Sequence, residues 1–295
     1  LIQVQSPSLD DGFGSALAID GDVIWVSAPH GQEGHVYRIE GLALERVITG
    51  SGRLGSALAV GPDGVLIGAP LSGSAGGQVV DASGTVIMSG MGGTGLALLG
   101  GSRPVAAHGS GWTRLDGTGE TTTHRPSSLA MREDQVGVGM ARGEDCLQVG
   151  DQTLSRPNPA DFAGLSLITA DLDGDGSGEW ILGAPGSGSA YILDGETLEV
   201  RREISEASLG FGTALAACRI DGDEQIDLVV GAPGGEETRG EVWIYTDPLS
   251  GGGEPRWAGE SLGQFLGSAV TCTDGLLVMG APGGGAQAGQ TWVVR

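Results

Sequence analysis

The feature that most constrains this chain is a repeated three-part pattern. Gly-Ala-Pro closes an apolar run at residues 68–70, 183–185, 231–233 and 280–282, with Ser27-Ala28-Pro29 as a variant. Upstream stands a segment of small and apolar residues opened by glycine: FGSALAI from Phe13, LGSALAV from Leu54, FGTALAA from Phe211 and FLGSAVT from Phe265. Downstream stand a glycine, two residues and an aromatic: GHVY from Gly34, GSAY from Gly188, GEVW from Gly240 and GQTW from Gly289. A further copy opens with FAGLSLITA, anchored at Gly164. Two worn copies fill the middle. One aligns Gly93 with Gly55 and puts Ala106-Ala107-His108 on Gly-Ala-Pro. The other puts Pro126 on the glycine and Gly139-Met140-Ala141 on Gly-Ala-Pro. The anchors are Gly14, Gly55, Gly93, Pro126, Gly164, Gly212 and Gly267, which makes seven repeats.

Anchor spacings of 33 to 55 residues leave room for four short strands in each repeat. The small-residue segment is the first strand and the run into Gly-Ala-Pro is the second. The aromatic-bearing segment is the third. A mixed segment such as LERVITG from Leu44, VRREIS from Val200 or EPRWAGE from Glu254 is the fourth. Four-stranded units repeated seven times predict an all-β, seven-bladed propeller. The last repeat ends after its third strand, and residues 1–6, LIQVQS, are a strand without a repeat. Pairing residues 1–6 onto the last blade closes the ring and removes the open edges. Residues 1–295 then form a single domain. Alanines 16, 57, 214 and 269 suit innermost strands crowded at the axis. Tyr37, Trp112, Tyr191, Trp243 and Trp292 are expected at one register position, packed between blades.

Composition agrees and narrows the function. Glycine reaches 57 of 295 residues, and apolar runs recur between glycine-rich turns, as an all-β chain requires. A net charge of −22 argues against nucleic acid and anionic membrane surfaces as partners. No apolar run reaches the ~18 residues of a membrane span, so membrane insertion is not expected. The chain begins at Leu1 rather than Met, which reads as a processed protein or an excised domain. Cys146, Cys218 and Cys272 give no disulfide framework and no CxxC. Buried thiols are the expectation, and a Cys218–Cys272 bridge is the weaker alternative.

One loop carries candidate chemistry. In DLDGDGSGE, Asp171, Asp173, Asp175 and Glu179 alternate with small residues, and Gly176 allows a sharp turn. Ca²⁺ takes about 6–8 oxygens, mixing carboxylates with backbone carbonyls. The expected ligands are the side chains of Asp171, Asp173, Asp175 and Glu179, the Ser177 carbonyl, and water. An EF-hand would need its acidic ligand at the twelfth position, which is Leu182. The loop is instead a strand–strand hairpin running into WILGAP. Blade six holds a defective copy in which Asp221, Asp223 and Asp227 keep register. There Arg219 replaces the first acid and Glu224 the turn glycine. A metal-free loop closed by Arg219 is expected, with Ca²⁺ on Asp221, Asp223 and Asp227 as the alternative.

Phe-Gly, an acidic loop, Gly-Ala-Pro and Gly-x-x-Tyr/Trp together resemble the FG-GAP repeat. That repeat builds the N-terminal seven-bladed propeller of integrin alpha subunits and of similar bacterial secreted proteins. The resemblance implies calcium in the hairpin between the first and second strands of some blades. It also implies partner binding on the opposite face, where the Gly-Ala-Pro and Phe-Gly loops lie. No catalytic constellation is evident. His30, His35, His108 and His124 lack metal-ligand spacing and read as solvated loop residues. No GxSxG occurs, and GSGRLG from Gly50 opens a strand rather than a helix. Asp10, Asp11, Glu236 and Glu237 read as solvated loop charge.

The expectation is a calcium-stabilised, non-enzymatic, integrin-like binding or adhesion scaffold, extracellular, at the cell surface or periplasmic. It would bind a protein or glycan ligand and be monomeric as an isolated domain. The alternatives are an accessory domain of a secreted hydrolase and a carbohydrate-binding propeller that stacks sugars on Trp25, Trp180 or Trp257.

Overall fold

Glycine-rich and two-residue turns cut the chain into strands of two to eight residues. The computed structural model describes residues 1–295 except 10, 74–75, 91–92, 94–96, 143, 156–157 and 284–287. Asp10, one of the loop acids noted above, lies outside the described residues. Among the described residues the strands assemble into seven four-stranded antiparallel sheets. Blade one, for example, uses Leu17–Asp20, Val23–Ala28, Gly34–Glu40 and Ala43–Gly50 in that order from the axis outward. Blade seven is made from both ends of the chain. Its first three strands are Ala269–Thr273, Leu276–Ala281 and Gln290–Val294, and its fourth is Ile2–Gln5. Ile2 pairs with Val293 and Gln5 with Gln290, and Ser6 N–H donates to Gly289 O at 2.8 Å. The expected ring closure is therefore what the structure shows.

The apolar faces of the sheets meet in seven clusters, one at each blade boundary. Tyr37 packs with Phe13, Val26, Val278 and Val293 between blades one and seven. Tyr191 and Trp180 pack against Cys146 and Leu147 of blade four. Trp292 lies between blades six and seven. The aromatics thus fill boundaries, as expected, with one correction of register. Tyr37, Tyr191, Trp243 and Trp292 pair with Val26, Leu182, Val230 and Met279, each two residues before the alanine of its Gly-Ala-Pro. Trp112 pairs with Ala107 itself, two places further along. The tight His108–Gly111 turn of blade three shortens the loop and shifts the strand. Trp112 is still buried between blades three and four.

The motif glycines meet one another across these boundaries. A Cβ on Gly183 would stand 2.0 Å from Gly212 O, one on Gly231 2.0 Å from Gly267 O, and one on Gly280 2.0 Å from Gly14 O. The Gly-Ala-Pro glycine of one blade is thus pressed on the anchor glycine of the next. The glycine anchors also take positive φ, +90° at Gly212. In blades two, five, six and seven the anchor N–H reaches back to its own Gly-Ala-Pro glycine, as in Gly212 N to Gly231 O at 3.1 Å. The residue after Pro then staples the entry loop: Leu71 N to Gly52 O, Gly186 N to Asp161 O, Gly234 N to Leu209 O and Gly283 N to Gln264 O. Pro lacks an N–H, so the bond falls to its successor.

The cysteines depart from expectation. Cys218 and Cys272 form a disulfide with Cα atoms 6.1 Å apart. They lie on the innermost strands of blades six and seven, which run side by side at the axis. Closing a loop of 54 residues corresponds to about 4 kcal/mol in the chain-entropy picture. Cys146 is buried, and its thiol contacts Leu154 O at 3.2 Å.

The glycine contact is testable. Gly212→Ala would place Cβ 2.5 Å from Ser189 O at φ +90°, and should cost roughly 2–4 kcal/mol in urea denaturation. Gly21→Ala, at φ +57° with nothing within 4 Å, should cost about 1 kcal/mol. Equal losses would refute the boundary role.

Candidate metal centre

Residues 171–178 form the hairpin between the first strand of blade five, Ser166–Ala170, and its second, Glu179–Ala184. Left-handed Gly174 and Gly176, at φ +74° and +88°, curl it back on itself. The curl brings one oxygen from each of Asp171, Asp173 and Glu179 within 4.8 Å of one another. These three could hold a cation. Asp175 is not in that group; its Oδ1 accepts the Ser177 N–H at 2.7 Å. Asp171 Oδ2 accepts Gly176 N–H at 2.9 Å, and Glu179 Oε2 accepts Leu172 N–H at 2.8 Å.

Two arginines absent from the motif complete the site. Arg201, on the fourth strand of blade five, Val200–Ser205, donates to Glu179 Oε1 and, at 2.8 Å, to Asp173 Oδ2. Ile192 pairs with Arg202 while Leu193 pairs with Val200, so Arg201 is the extra residue of a β-bulge. A bulge re-aims a side chain, and here it turns Arg201 toward the hairpin. Arg132 of blade four donates to Gly178 O at 3.0 Å and to Ser177 Oγ at 2.5 Å. No local spacing could have revealed either, because one comes from the outer edge of the blade and the other from its neighbour.

The electrostatics fit a hard divalent ion. Asp171 Oδ1 is buried and has no hydrogen-bond donor. A buried oxygen left so is costly, and a cation relieves it. Burial pushes the Glu179 carboxyl above its ordinary range, while the Arg201 hydrogen bond holds Asp173 below its own. Clustered all-oxygen donors of this kind suit Ca²⁺ better than a softer metal.

Blade six is built differently. Asp221, Asp223 and Asp227 do not converge as the blade-five acids do. Asp227 Oδ2 accepts the Ile220 N–H, and Asp221 and Asp223 cap backbone N–H groups of their own turn. Arg219 closes this loop through a backbone carbonyl rather than through these carboxylates. Its Nε donates to Glu224 O at 3.0 Å and its Nη1 to Asp274 Oδ2 at 3.2 Å. Asp274 belongs to the next hairpin, in blade seven, so Arg219 ties two blades together.

Other candidates take structural places. His108 is buried, contrary to the reading as a solvated loop residue; Nε2 meets Thr113 Oγ1 at 3.2 Å, and burial lowers its pKa. His30 is exposed, and His35 and His124 are half-buried. Asp11 is buried and accepts from Ser6 Oγ and Phe13 N–H. Glu236 and Glu237 are exposed. Trp25 and Trp180 are buried and Trp257 is half-buried, so the first two offer no platform for sugar.

No protein-family model matches the chain. It is similar to Integrin alpha-PS2 of Drosophila melanogaster. The two are 33% identical over 147 residues, which is 39% of this chain and 10% of that protein. The matched part is thus a tenth of the length of the curated relative. With seven blades in a ring, that similarity supports an integrin-like propeller.

Asp227 provides a pH test. Burial raises its folded pKa. Such a group stabilises the fold below its unfolded pKa and loses that contribution as pH rises through the folded one. Asp227→Asn should therefore leave stability at pH 7 unchanged or higher. It should also flatten the fall in stability between about pH 4 and 7. A lower melting temperature in calcium that disappears with chelator would instead show that this loop holds the ion.

Proposed function

We propose that residues 1–295 form a single, calcium-stabilised, non-enzymatic propeller domain that serves as a binding scaffold of the adhesion type, outside the cell or in the cell envelope. The observation that carries this reading is a set of exposed leucines in the loops of one end. Leu9, Leu71, Leu209 and Leu262 are 55–70% exposed. All four lie in loops that enter a blade or join its second and third strands, at the end of the ring opposite the acidic hairpins. These leucines offer apolar contact to a partner at that end. Similarity to an integrin alpha chain supports a protein ligand there. The Cys218–Cys272 disulfide supports an oxidising compartment. Among the described residues no helix is long and apolar enough to cross a membrane.

Calcium has a structural role in this reading. Asp171, Asp173, Asp175 and Glu179 would hold it with the Ser177 carbonyl. The bound ion would neutralise the hairpin and stiffen it, far from those leucines. Asp173→Ala should lower the melting temperature in calcium by several degrees and abolish the difference between calcium and chelator, measured by calorimetry. Identical wild-type melting curves with and without chelator would rule out the ion.

The leucines are tested separately. The intact protein would be screened against a panel of extracellular-matrix proteins and a glycan array. A protein hit should weaken at least tenfold with Leu71→Asp, Leu209→Asp and Leu262→Asp combined, at unchanged melting temperature. Binding to glycans alone, or a hit indifferent to these changes, would overturn the reading.

A further inference from the structure

We propose that Arg201 is a built-in counter-cation for the blade-five hairpin and that a divalent ion binds there by displacing it. This rests on the calcium reading above and asks what the site does without the ion. Glu179 is nearly buried, its side chain 3% exposed, and cannot stand ionised in that place without a positive partner. Arg201 supplies one. Its two terminal nitrogens divide between Glu179 Oε1 and Asp173 Oδ2, from two of the three carboxylates that converge.

The remaining oxygens explain why the two cations exclude each other. Glu179 Oε2 is taken by Leu172 N–H, Asp173 Oδ1 by Asp175 N–H, and Asp171 Oδ2 by Gly176 N–H. Asp171 Oδ1 alone among these six oxygens has no donor. One oxygen cannot hold an ion that takes about 6–8. Entry must therefore recruit Asp173 Oδ2 and Glu179 Oε1, the pair that Arg201 occupies, and a guanidinium at that range repels a divalent ion.

The backbone is arranged for such an exchange. Arg201 is the bulged residue of its strand, outside the regular ladder, so its side chain can leave without breaking a strand pair. Arg202, next along, holds the turn of the neighbouring blade through Pro248 O at 2.9 Å and Gly251 O at 2.7 Å. The strand thus stays anchored while Arg201 swings. The exchange makes occupancy a threshold set by ion concentration, with both states charge-neutralised.

Calorimetric titration with Ca²⁺ alone tests this on the intact protein, using Arg201→Gln, Arg201→Lys and Arg256→Gln. Arg256 is an exposed fourth-strand arginine of blade six and controls for net charge. Arg201→Gln should bind Ca²⁺ at least tenfold more tightly than wild type, yet melt lower in chelator. Arg201→Lys, which keeps the charge but loses the two-pronged fit, should fall between. Arg256→Gln should change affinity less than twofold. Arg201→Gln binding no tighter than wild type, or Arg256→Gln tightening binding equally, would overturn the exchange while leaving the calcium site standing. If no variant and no wild-type sample binds Ca²⁺, both readings fall. Should Arg201→Gln fail to fold in chelator, the titration is run on Arg201→Lys, where unchanged affinity is the overturning result.

Discussion

The ring from blade four round to blade one depends on backbone meeting backbone at the blade boundaries. Where Gly231 lies on Gly267, or Gly280 on Gly14, no room exists for a single side-chain carbon. The contact fixes how near consecutive blades approach at one end, and hence how tightly they wedge around the axis. Larger side chains then fill the widening gap outward: Phe13 against Tyr37 at 5.2 Å, and Phe211 against Trp243 and Tyr245. The taper from glycine to aromatic is a radial sorting of side-chain volume. It also explains why the motif pairs these residue types, since each serves a different radius of the same wedge.

Charge is handled with unusual economy. The chain has no lysine, and its 15 basic residues are all arginine. Several are used where a planar, multi-pronged donor is required. Arg132 clasps the hairpin of the next blade, Arg201 the acids of its own, Arg202 a turn of the next, and Arg219 the hairpin beyond. Between blades four and seven the acidic end of the ring is thus laced by guanidinium groups. Arg132 and Arg202 reach carbonyls, whereas Arg201 and Arg219 also take carboxylates.

The fold was largely legible because the repeat encodes it. Glycine anchors, Gly-Ala-Pro and the spacing of strands gave blade number, strand order and ring closure. What escaped reading was whatever depends on neighbours across a boundary. Cys218 and Cys272 sit six and five residues after their anchors, so the alignment already placed them on adjacent inner strands. The missing step was that such strands lie within bridging distance. Trp112 misled because its glycine count matched while the preceding turn was shorter. At the metal centre, the acids of the hairpin could be read from alternation alone. Arg201 could not, because a bulge decides where it points. Alternation names Asp175 with the other acids but does not say that its Oδ1 also caps its own turn.

Blade seven has a consequence for how the molecule comes into being. Its outer strand, Ile2–Gln5, precedes the other six blades in the sequence, yet its partner, Gln290–Val294, follows them all. The outer strand must wait, unpaired, while six blades take shape behind it. Its side chains alternate between half-buried and exposed, with glutamines at positions 3 and 5. Completion of the ring consequently waits on the pairing of these two strands, and the disulfide to blade six secures the blade they share.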